Sequence, residues 1–292
     1  MQTTCDIYFG DNLEVLAGFE DESFDLIYID PPFNTGKKQE RSQLRTVRDP
    51  EGDRTGFKGR RYRTEEIGRL AFSDQFDDFL GFIEPRFQEA LRLLRPSGSF
   101  FLHMDCREVH YCKVLLDAVF GREAFMNEII WAYDFGARSK KKWSTKHDNI
   151  LWYAKDPNDY TFHYGEMDRI PYMAPGLVSK QKAARGKTPT DVWWHTIVPT
   201  NGQERTGYPT QKPLGILNRI IRVHTSPGDR VLDFFAGSGT TGESALRQGR
   251  NAVLVDSNEE ALEVMAKRLA FAMPRFHDYE PSAQHAHQST IF

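Results

Sequence analysis

Short apolar runs alternate along the chain with longer segments whose apolar residues recur every three or four positions. The first pattern predicts buried strands, and the second predicts helices that pack against a sheet. The predicted strands are 8–9 (the end of a short strand), 24–29, 99–104, 129–133, 150–154, 230–233 and 251–256. The predicted helices are 11–16, 76–94, 109–119, 213–224, 240–246 and 258–271. This alternation predicts an α/β fold with a doubly wound, mostly parallel sheet.

Three segments interrupt the alternation. Residues 34–71 are polar, basic and dotted with glycine, which predicts a long mobile loop. Residues 156–207 are irregular and rich in Pro, Gly, Lys and aromatic residues, and residues 275–292 are predicted to form a weakly ordered tail. At 292 residues the chain can bury one large core with an inserted subdomain, and a second full domain is not required.

The net charge of −3 conceals an uneven distribution. Residues 37–63 contain ten Lys and Arg against four Asp and Glu, and residues 138–187 contain eleven against five. Two basic segments on an acidic body are typical of a protein that binds a polyanion such as nucleic acid. Solvated basic loops would give the same pattern, so the charge alone does not decide between the two.

Other features exclude several classes of protein. No stretch approaches the roughly 20 apolar residues of a membrane span, and the N-terminal segment MQTTCDIYFGDN lacks the pattern of a secretory signal. The three cysteines, Cys5, Cys106 and Cys112, are odd in number and lack C-x-x-C spacing. They indicate neither a disulfide framework nor a zinc site, so we expect a cytoplasmic protein without a metal requirement.

A glycine-rich turn joins a predicted strand to the following helix. Gly237, Gly239 and Gly242 fit the spacing G-x-G-x-x-G. Asp256 ends the next strand, where it can accept hydrogen bonds from ribose hydroxyls. These features alone favour an oxidoreductase that uses a nicotinamide cofactor. Asp233, directly before the turn, argues against it, because a carboxylate repels a pyrophosphate and attracts the cationic amino-acid end of S-adenosylmethionine (SAM).

The tetrapeptide Asp30-Pro31-Pro32-Phe33 follows a predicted strand, at the end of the sheet where ligands of open α/β folds bind. An exocyclic amine of a nucleobase is a weak nucleophile because its lone pair is conjugated with the ring. The Asp30 carboxylate and the Pro31 carbonyl can accept its two N–H bonds, which favours the pyramidal nitrogen that attacks a sulfonium methyl group. The two prolines hold these acceptors rigid, and Phe33 offers a face on which a flipped base can stack.

With these motifs the chain resembles the β class of DNA amino-methyltransferases, in which the catalytic tetrapeptide precedes the cofactor loop in a circularly permuted order. Five blocks carry the resemblance in the order of that class: 10–13, 28–36, 208–213, 233–241 and Asp256. The resemblance implies a Rossmann-like methyltransferase fold, SAM as the cofactor and double-stranded DNA as the partner. A homodimer and a cognate restriction endonuclease are further partners that it leaves open.

The resemblance also implies roles for individual residues. The catalytic residues would be Asp30, Pro31, Pro32 and Phe33. The cofactor-binding residues would be Asp11, Asn12, Lys212 (near the methionine end), Asp233, Phe234, Phe235, Ala236, Gly237, Ser238, Gly239, Thr240 and Asp256. The DNA-binding residues would be Arg138, Lys140, Lys141, Lys142, Trp143, Lys146 and His147. Buried packing is favoured over DNA contact for Trp193 and Trp194.

The same resemblance suggests how the chain is divided. Residues 1–130 would be the catalytic half of the methyltransferase domain and 207–274 its cofactor-binding half. Between them, 131–206 would be an inserted target-recognition region, and 275–292 a tail.

The predicted activity is site-specific methylation of DNA at the exocyclic amine of a flipped base. Asp30 favours N6 of adenine, because in this class a serine there goes mainly with N4 of cytosine, yet both amines need the same chemistry. Structured RNA, an NAD-dependent oxidoreductase and a catalytically silent DNA-binding module are more distant alternatives. Protein glutamine methyltransferases share a Pro-Pro-aromatic motif, but in them the cofactor loop comes first.

Overall fold

A computed structural model describes residues 3–34, 78–136 and 138–281, together with the backbone of three strands that lie between residues 37 and 74. In chain order the strands are β1 (Cys5–Phe9), β2 (Phe24–Ile29), β3 (Lys37–Arg48), β4 (Arg54–Thr55), β5 (Arg61–Asp74), β6 (Leu94–Met104), β7 (Phe125–Ala132), β8 (His147–Ala154), β9 (Val192–Trp194), β10 (Arg230–Asp233), β11 (Asn251–Asp256) and β12 (Arg275–His277). The helices are α1 (Asn12–Ala17), α2 (Phe79–Leu93), α3 (Val109–Phe120), α4 (Lys180–Arg185), α5 (Leu214–His224), α6 (Thr240–Arg247) and α7 (Glu259–Arg268).

Nine of the strands form one sheet in the order β12-β1-β11-β10-β2-β6-β8-β7-β9. The strands from β12 to β6 are parallel to their neighbours, and β8 is antiparallel to both β6 and β7. The prediction of an α/β fold with a mostly parallel sheet is therefore confirmed.

Helices cover both faces of this sheet because the side chains of each strand alternate between two apolar clusters. In β2, Leu26 and Tyr28 pack into a cluster with α5, α6 and α7. Their neighbours Ile27 and Ile29 pack into a second cluster with α1, α2 and α3. All four are at most 1 % exposed, so β2 lies at the centre of the core and holds its C-terminal end in a fixed position.

The strand order of the sheet reverses at its centre, between β10 and β2. β10 pairs with β2 in parallel, Val231 opposite Leu26, although the two strands are some 200 residues apart in sequence. From β10 the chain continues through α6 to β11 on one side, and from β2 it reaches β6 on the other. Crevices form beyond the carboxyl ends of strands at such a point, and they are the usual ligand sites of α/β proteins.

The predicted loop at 34–71 is wrong as secondary structure. Within it β3 pairs antiparallel with β5, from Lys37 opposite Asp74 to Arg48 opposite Tyr62, and β4 adds a short third strand. The segment has little alternation of apolar and polar residues, so the periodicity that reveals a half-buried strand is absent from it. The predicted mobility of this segment stays a prediction.

Other segments also contain more structure than the sequence indicates. The residues 275–292 begin with β12, an edge strand that pairs with β1, and residues 282–292 lie outside the described part of the chain. The irregular segment 156–207 contains α4 and β9. Residues 96–98, which have the composition of a turn, lie inside β6, where the pairing with β2 shifts register. Among the described residues, no helix combines the length and the apolarity that a membrane crossing requires.

Candidate active site

The glycine-rich turn between β10 and α6 comprises residues 234–239 and is called the glycine loop below. It lies beside the tetrapeptide that follows β2, because β10 and β2 are neighbours and run in the same direction. Asp256 at the end of β11 completes the group, since β11 pairs with β10 on its other side. Three segments that are far apart in sequence therefore meet at one edge of the sheet, as the sequence motifs predict.

The backbone of the glycine loop is fixed by Asp256 and by tight packing. Gly237 has a φ of +49° and donates its N–H to Asp256 Oδ2 at 2.7 Å. A Cβ on Gly237 would lie 3.2 Å from the ring of Tyr208, and a Cβ on Gly239 (φ +71°) would lie 2.8 Å from Met265 Cγ. Positive φ and close neighbours together require glycine at both positions. Burial raises the pKa of Asp256 above its ordinary value.

Asp233 stabilises the loop through two hydrogen bonds. Its carboxylate accepts from the Phe235 N–H at 3.0 Å and from Thr241 Oγ1 at 2.6 Å, and the residue is 3 % exposed. Burial raises its pKa to about 7. Asp233 was predicted to attract the cationic end of SAM. In the structure its hydrogen bonds go to Phe235 in the loop and to Thr241 in α6.

Asp11 and Asn12 lie at the start of α1, and Asn12 contacts the beginning of the glycine loop. Asp11 caps the helix by accepting the Leu13 N–H at 2.9 Å. Asn12 is buried and donates from Nδ2 to the Phe234 carbonyl at 2.9 Å. Both residues were predicted to bind the cofactor. In the structure the Asp11 side chain is half-exposed and contacts Arg86, whereas the Asn12 amide holds the loop backbone at Phe234.

Asp30 and Lys212 form an ion pair at the centre of the site. The Lys212 ammonium also lies 4.9 Å from the centre of the Phe33 ring, and its backbone carbonyl accepts a hydrogen bond from Thr240 Oγ1 at 3.1 Å. Asp30 Oδ1 is buried and has no hydrogen-bond partner among the described residues. Lys212 was predicted to bind the cofactor near its methionine end, and in the structure its side chain is paired with the Asp30 carboxylate.

A buried chain of polar side chains lies beneath Phe33 and was missed by the sequence reasoning. The Tyr28 hydroxyl shares a 2.6 Å hydrogen bond with His103 Nδ1, and His103 Nε2 lies 3.3 Å from Asp148 Oδ2. Tyr133 donates to Asp148 Oδ1 at 3.0 Å. In the neutral imidazole, Nε2–H donates to the carboxylate and Nδ1 accepts from the phenol.

Burial and neighbouring groups shift the pKa values of two residues in this chain. Burial, and then the charges of Asp30, Asp233 and Asp148, raise the pKa of Tyr28 well above its usual value, so the phenol remains a donor. Burial alone would raise the pKa of Asp148, but the hydrogen bond from His103, with further help from Lys212, brings it below the ordinary value. The His103 ring centre lies 6.0 Å from that of Phe33. The chain therefore forms a fixed floor under the tetrapeptide.

The residues predicted to bind DNA lie in the loop 133–146 and at the start of β8. Ala132 pairs with His147, Asn149 with Met104, and Leu102 with Ile29, so this loop leaves the sheet at the same edge as the tetrapeptide. Of the residues predicted to bind DNA, five are exposed, with Trp143 at 96 %: Arg138, Lys140, Lys141, Lys142 and Trp143.

Two of the predicted DNA contacts are partly buried. Lys146 donates to the Gly136 carbonyl at 3.0 Å, and His147 begins β8. Of the two neighbouring tryptophans, Trp193 is half-buried with the Arg219 guanidinium 4.8 Å from its ring centre, whereas Trp194 is exposed. The expectation of buried packing therefore fits Trp193 alone.

The site fits SAM in the chemistry of its walls. The glycine loop leads into the N-terminus of α6 at Thr240, and Gly237 and Gly239 leave the loop backbone without side chains of their own. Asp256 ends β11 beside the loop, and Asp30 Oδ1 is a buried acceptor without a hydrogen-bond partner among the described residues. Within the described residues, no group of His, Cys, Asp and Glu side chains is arranged to hold a metal ion.

Comparison with known proteins agrees with this geometry. Residues 24–268 match the family model described as DNA methylase. The DNA adenine methyltransferase YhdJ of Escherichia coli K12 is 29 % identical over 277 residues, which cover 91 % of this chain and 83 % of YhdJ.

Two solved structures share the fold. A SAM complex of M1.HpyAVI has a TM-score of 0.59 at 21 % identity and covers 90 % of this chain and 98 % of its own. The cytosine-N4-specific PvuII DNA methyltransferase has a TM-score of 0.60 at 18 % identity and covers 96 % and 89 %. Because the family model spans most of the chain, from the strand before the tetrapeptide to the end of α7, the chain belongs to the DNA methylase family and is a SAM-dependent methyltransferase of DNA amino groups, N6 of adenine or N4 of cytosine.

Proposed function

We propose that the chain methylates N6 of adenine in double-stranded DNA, on a base that is flipped out of the duplex into the site at Asp30. The observation that carries the proposal is the position of Asp30 at the end of β2, beside the glycine loop of β10. An aspartate as the first residue of the tetrapeptide favours adenine in this family, and the similar YhdJ is named as an adenine methyltransferase. N4 of cytosine is the alternative, because it needs the same chemistry.

The residues of this chain act on the amine rather than on the methyl donor. SAM supplies an electrophilic methyl group when it is bound. Asp30 accepts an amine N–H, which localises the nitrogen lone pair and provides an acceptor for the proton that leaves when the N–C bond forms. The Pro31 carbonyl can accept the second N–H, and the two proline rings restrict the backbone that carries it. Phe33, fixed above His103, offers an apolar face to the base.

The order of the motifs supports a circularly permuted methyltransferase domain. The tetrapeptide precedes the glycine loop by about 200 residues, yet β2 and β10 are adjacent in the sheet. We assign residues 1–130 to the catalytic half, 131–206 to target recognition and 207–274 to the cofactor-binding half. The exposed cations of loop 133–146 at the active-site edge support the middle assignment. The homodimer and the cognate endonuclease stay predictions.

Analysis of the methylated nucleosides tests the proposal directly. Unmethylated plasmid DNA is incubated with the protein and isotopically labelled SAM, digested to nucleosides and separated by liquid chromatography with mass detection. We expect label in N6-methyldeoxyadenosine. Label in N4-methyldeoxycytidine would overturn the choice of base, and unlabelled DNA would overturn the activity. Methylation-aware sequencing of the same DNA then gives the recognition sequence.

We expect the affinity for DNA to fall steeply with salt, because cations that contact phosphates release counterions. Replacement of Lys140, Lys141 and Lys142 by alanine should weaken binding and reduce the slope of log K against log salt by about 2 to 3, roughly 0.9 for each lost phosphate contact. Fluorescence anisotropy with a short duplex gives both quantities. Lys267→Ala on the exposed face of α7 is the matched control and should leave the slope unchanged. An equal slope in the triple variant would reject this loop as a DNA contact.

The titration of Asp233 should affect stability with a defined sign. The pKa of Asp233 is about 7 in the folded protein and ~3.9 in an unfolded chain. At a pH between these two values, the folded state therefore holds a proton that the unfolded state has released. Its contribution to the free energy of unfolding is therefore complete below about pH 4 and is lost as the pH rises through about 7.

Asp233→Asn removes this titration while it retains an acceptor oxygen. Relative to the unmodified protein, the variant should gain stability between pH 4.5 and pH 8, by ~4 kcal/mol at most from a shift of about three units. Urea denaturation without SAM at the two pH values measures the change. A difference between the two proteins that does not vary with pH would contradict the assignment.

A further inference from the structure

Arg86 is a charged residue in the core, 5 % exposed, at the centre of α2. Its guanidinium donates from Nε to Asn12 Oδ1 at 2.7 Å and from Nη1 to the Phe82 carbonyl at 2.6 Å. A third group, Nη2, lies 3.4 Å from Asp11 Oδ2. A buried guanidinium is costly unless its donors are paired, so this arrangement needs a specific explanation.

The partners of Arg86 are the residues that flank the SAM site. Asn12 accepts from Arg86 through Oδ1 and donates through Nδ2 to the Phe234 carbonyl, the first peptide of the glycine loop after Asp233. The amide of Asn12 is thereby fixed in orientation from both ends. A continuous line of hydrogen bonds runs from α2 through the start of α1 to the loop.

Aromatic packing runs parallel to these hydrogen bonds. The Arg86 guanidinium lies 3.8 Å from the centre of the Phe82 ring, and the Phe82 ring lies 6.2 Å from that of Phe235 in the glycine loop. Two independent contacts, one polar and one aromatic, therefore connect the same turn of α2 to successive residues of the loop.

We propose that Arg86 is a positioning residue for SAM, which holds Asp11, Asn12 and the backbone at Phe234 in the arrangement that binds the cofactor. The inference rests on the proposed placement of SAM at this edge of the sheet. The planar guanidinium donates in two directions at once, whereas a lysine ammonium in the same place cannot reproduce the fork. Arg86 itself has no contact with the amine or with Asp30 in this role.

Arg86→Met tests the role by separating affinity from chemistry. Isothermal titration calorimetry should show the Kd for SAM raised about 10-fold or more, in line with the loss of one or two hydrogen bonds to a charged group. The single-turnover methylation rate at saturating SAM should fall by a much smaller factor. Arg86→Lys should recover only part of the affinity, because the fork is lost.

Arg250→Met is the matched control for general destabilisation. Arg250 is 7 % exposed and donates to the side chain and carbonyl of Thr225, at the opposite edge of the sheet from the site. Both arginine variants should lower the melting temperature, but only Arg86→Met should weaken SAM binding. Equal effects of the two variants on the Kd would overturn the inference.

A double-mutant cycle tests whether Arg86 affects SAM binding through Asn12. Asn12→Ala should weaken SAM binding on its own, and addition of Arg86→Met should then change the Kd by less than about twofold if the two residues act in one line. Additive effects would overturn the proposed connection. If Arg86→Met does not fold, Arg86→Lys and Asn12→Ala carry the same test. Failure of the unmodified protein to bind SAM would instead contradict the proposed function.

Discussion

Asp30→Asn should abolish methylation, with the single-turnover rate reduced by about 10³ or more. The amide keeps the size of the carboxylate but loses its charge and presents an NH2 group where the reaction needs an acceptor. The lone pair of the target amine then stays conjugated with the ring, and no carboxylate remains to take the proton that leaves. The affinity for SAM should change by less than about threefold, because Asp30 contacts Lys212 rather than the glycine loop.

A control on the same strand separates this effect from misfolding. Asp25 lies near the start of β2, at the opposite end of the strand from the site. Its carboxylate accepts hydrogen bonds from the Arg95 side chain and from the Arg230 N–H. Asp25→Asn should therefore retain methylation while it lowers stability. Quantitative transfer of tritium from labelled SAM to DNA measures both variants. An Asp30→Asn protein as active as Asp25→Asn would refute the mechanism.

Lys212→Met should lower the methylation rate at saturating SAM by about 10- to 100-fold. This is the range expected when a hydrogen bond to a charged group is removed and a carboxylate is left without its partner. The ammonium pairs with Asp30 and lies 4.9 Å from the centre of the Phe33 ring, and the backbone carbonyl of Lys212 accepts from Thr240 at the start of α6. Lys212 thus connects the catalytic tetrapeptide to the cofactor loop.

The two roles considered for Lys212 predict opposite kinetics. If the side chain served SAM, as the sequence resemblance suggests, Lys212→Met would raise the Kd for SAM, and saturating SAM would restore the rate. If it serves Asp30, the rate stays low at saturation, Lys212→Arg retains much of it, and Lys212→Met causes no further loss in an Asp30→Asn background. Single-turnover measurements over a range of SAM concentrations decide between them.

The central strands and the motifs they carry could be predicted from the sequence. β2, β10 and β11 are found at the predicted residues, because each is a short apolar run that ends at a residue unsuited to continuing a strand or at a polar turn. The parallel direction of these strands then brings Asp30, Asp233 and Asp256 to one edge. The predicted strands and their motifs were therefore enough to place these three carboxylates at the same edge of the sheet.

The contacts inside the site could not be predicted in the same way. Arg86 is 74 residues from Asn12, and His103 is 45 residues from Asp148, so no local pattern marks either pair. Each residue lies in an amphipathic helix or an apolar strand, where it resembles an ordinary polar interruption. Lys212 illustrates the same limit, because its segment was recognised but the partner of its side chain, 182 residues away, was not.

The buried chain from Tyr28 to Tyr133 has a mechanical consequence for DNA. Its side-chain hydrogen bonds join β2 to β6 and β8 and to Tyr133, the residue that follows β7, in addition to the backbone pairing between these strands. Extrusion of one base costs a DNA duplex a few kcal/mol of stacking and pairing, so the duplex favours the return of the base into the stack and strains against the protein. Since these hydrogen bonds hold the tetrapeptide in place, we expect the exposed residues 138–143, which lie outside this chain, to move when the duplex strains against the protein, while the tetrapeptide keeps its position.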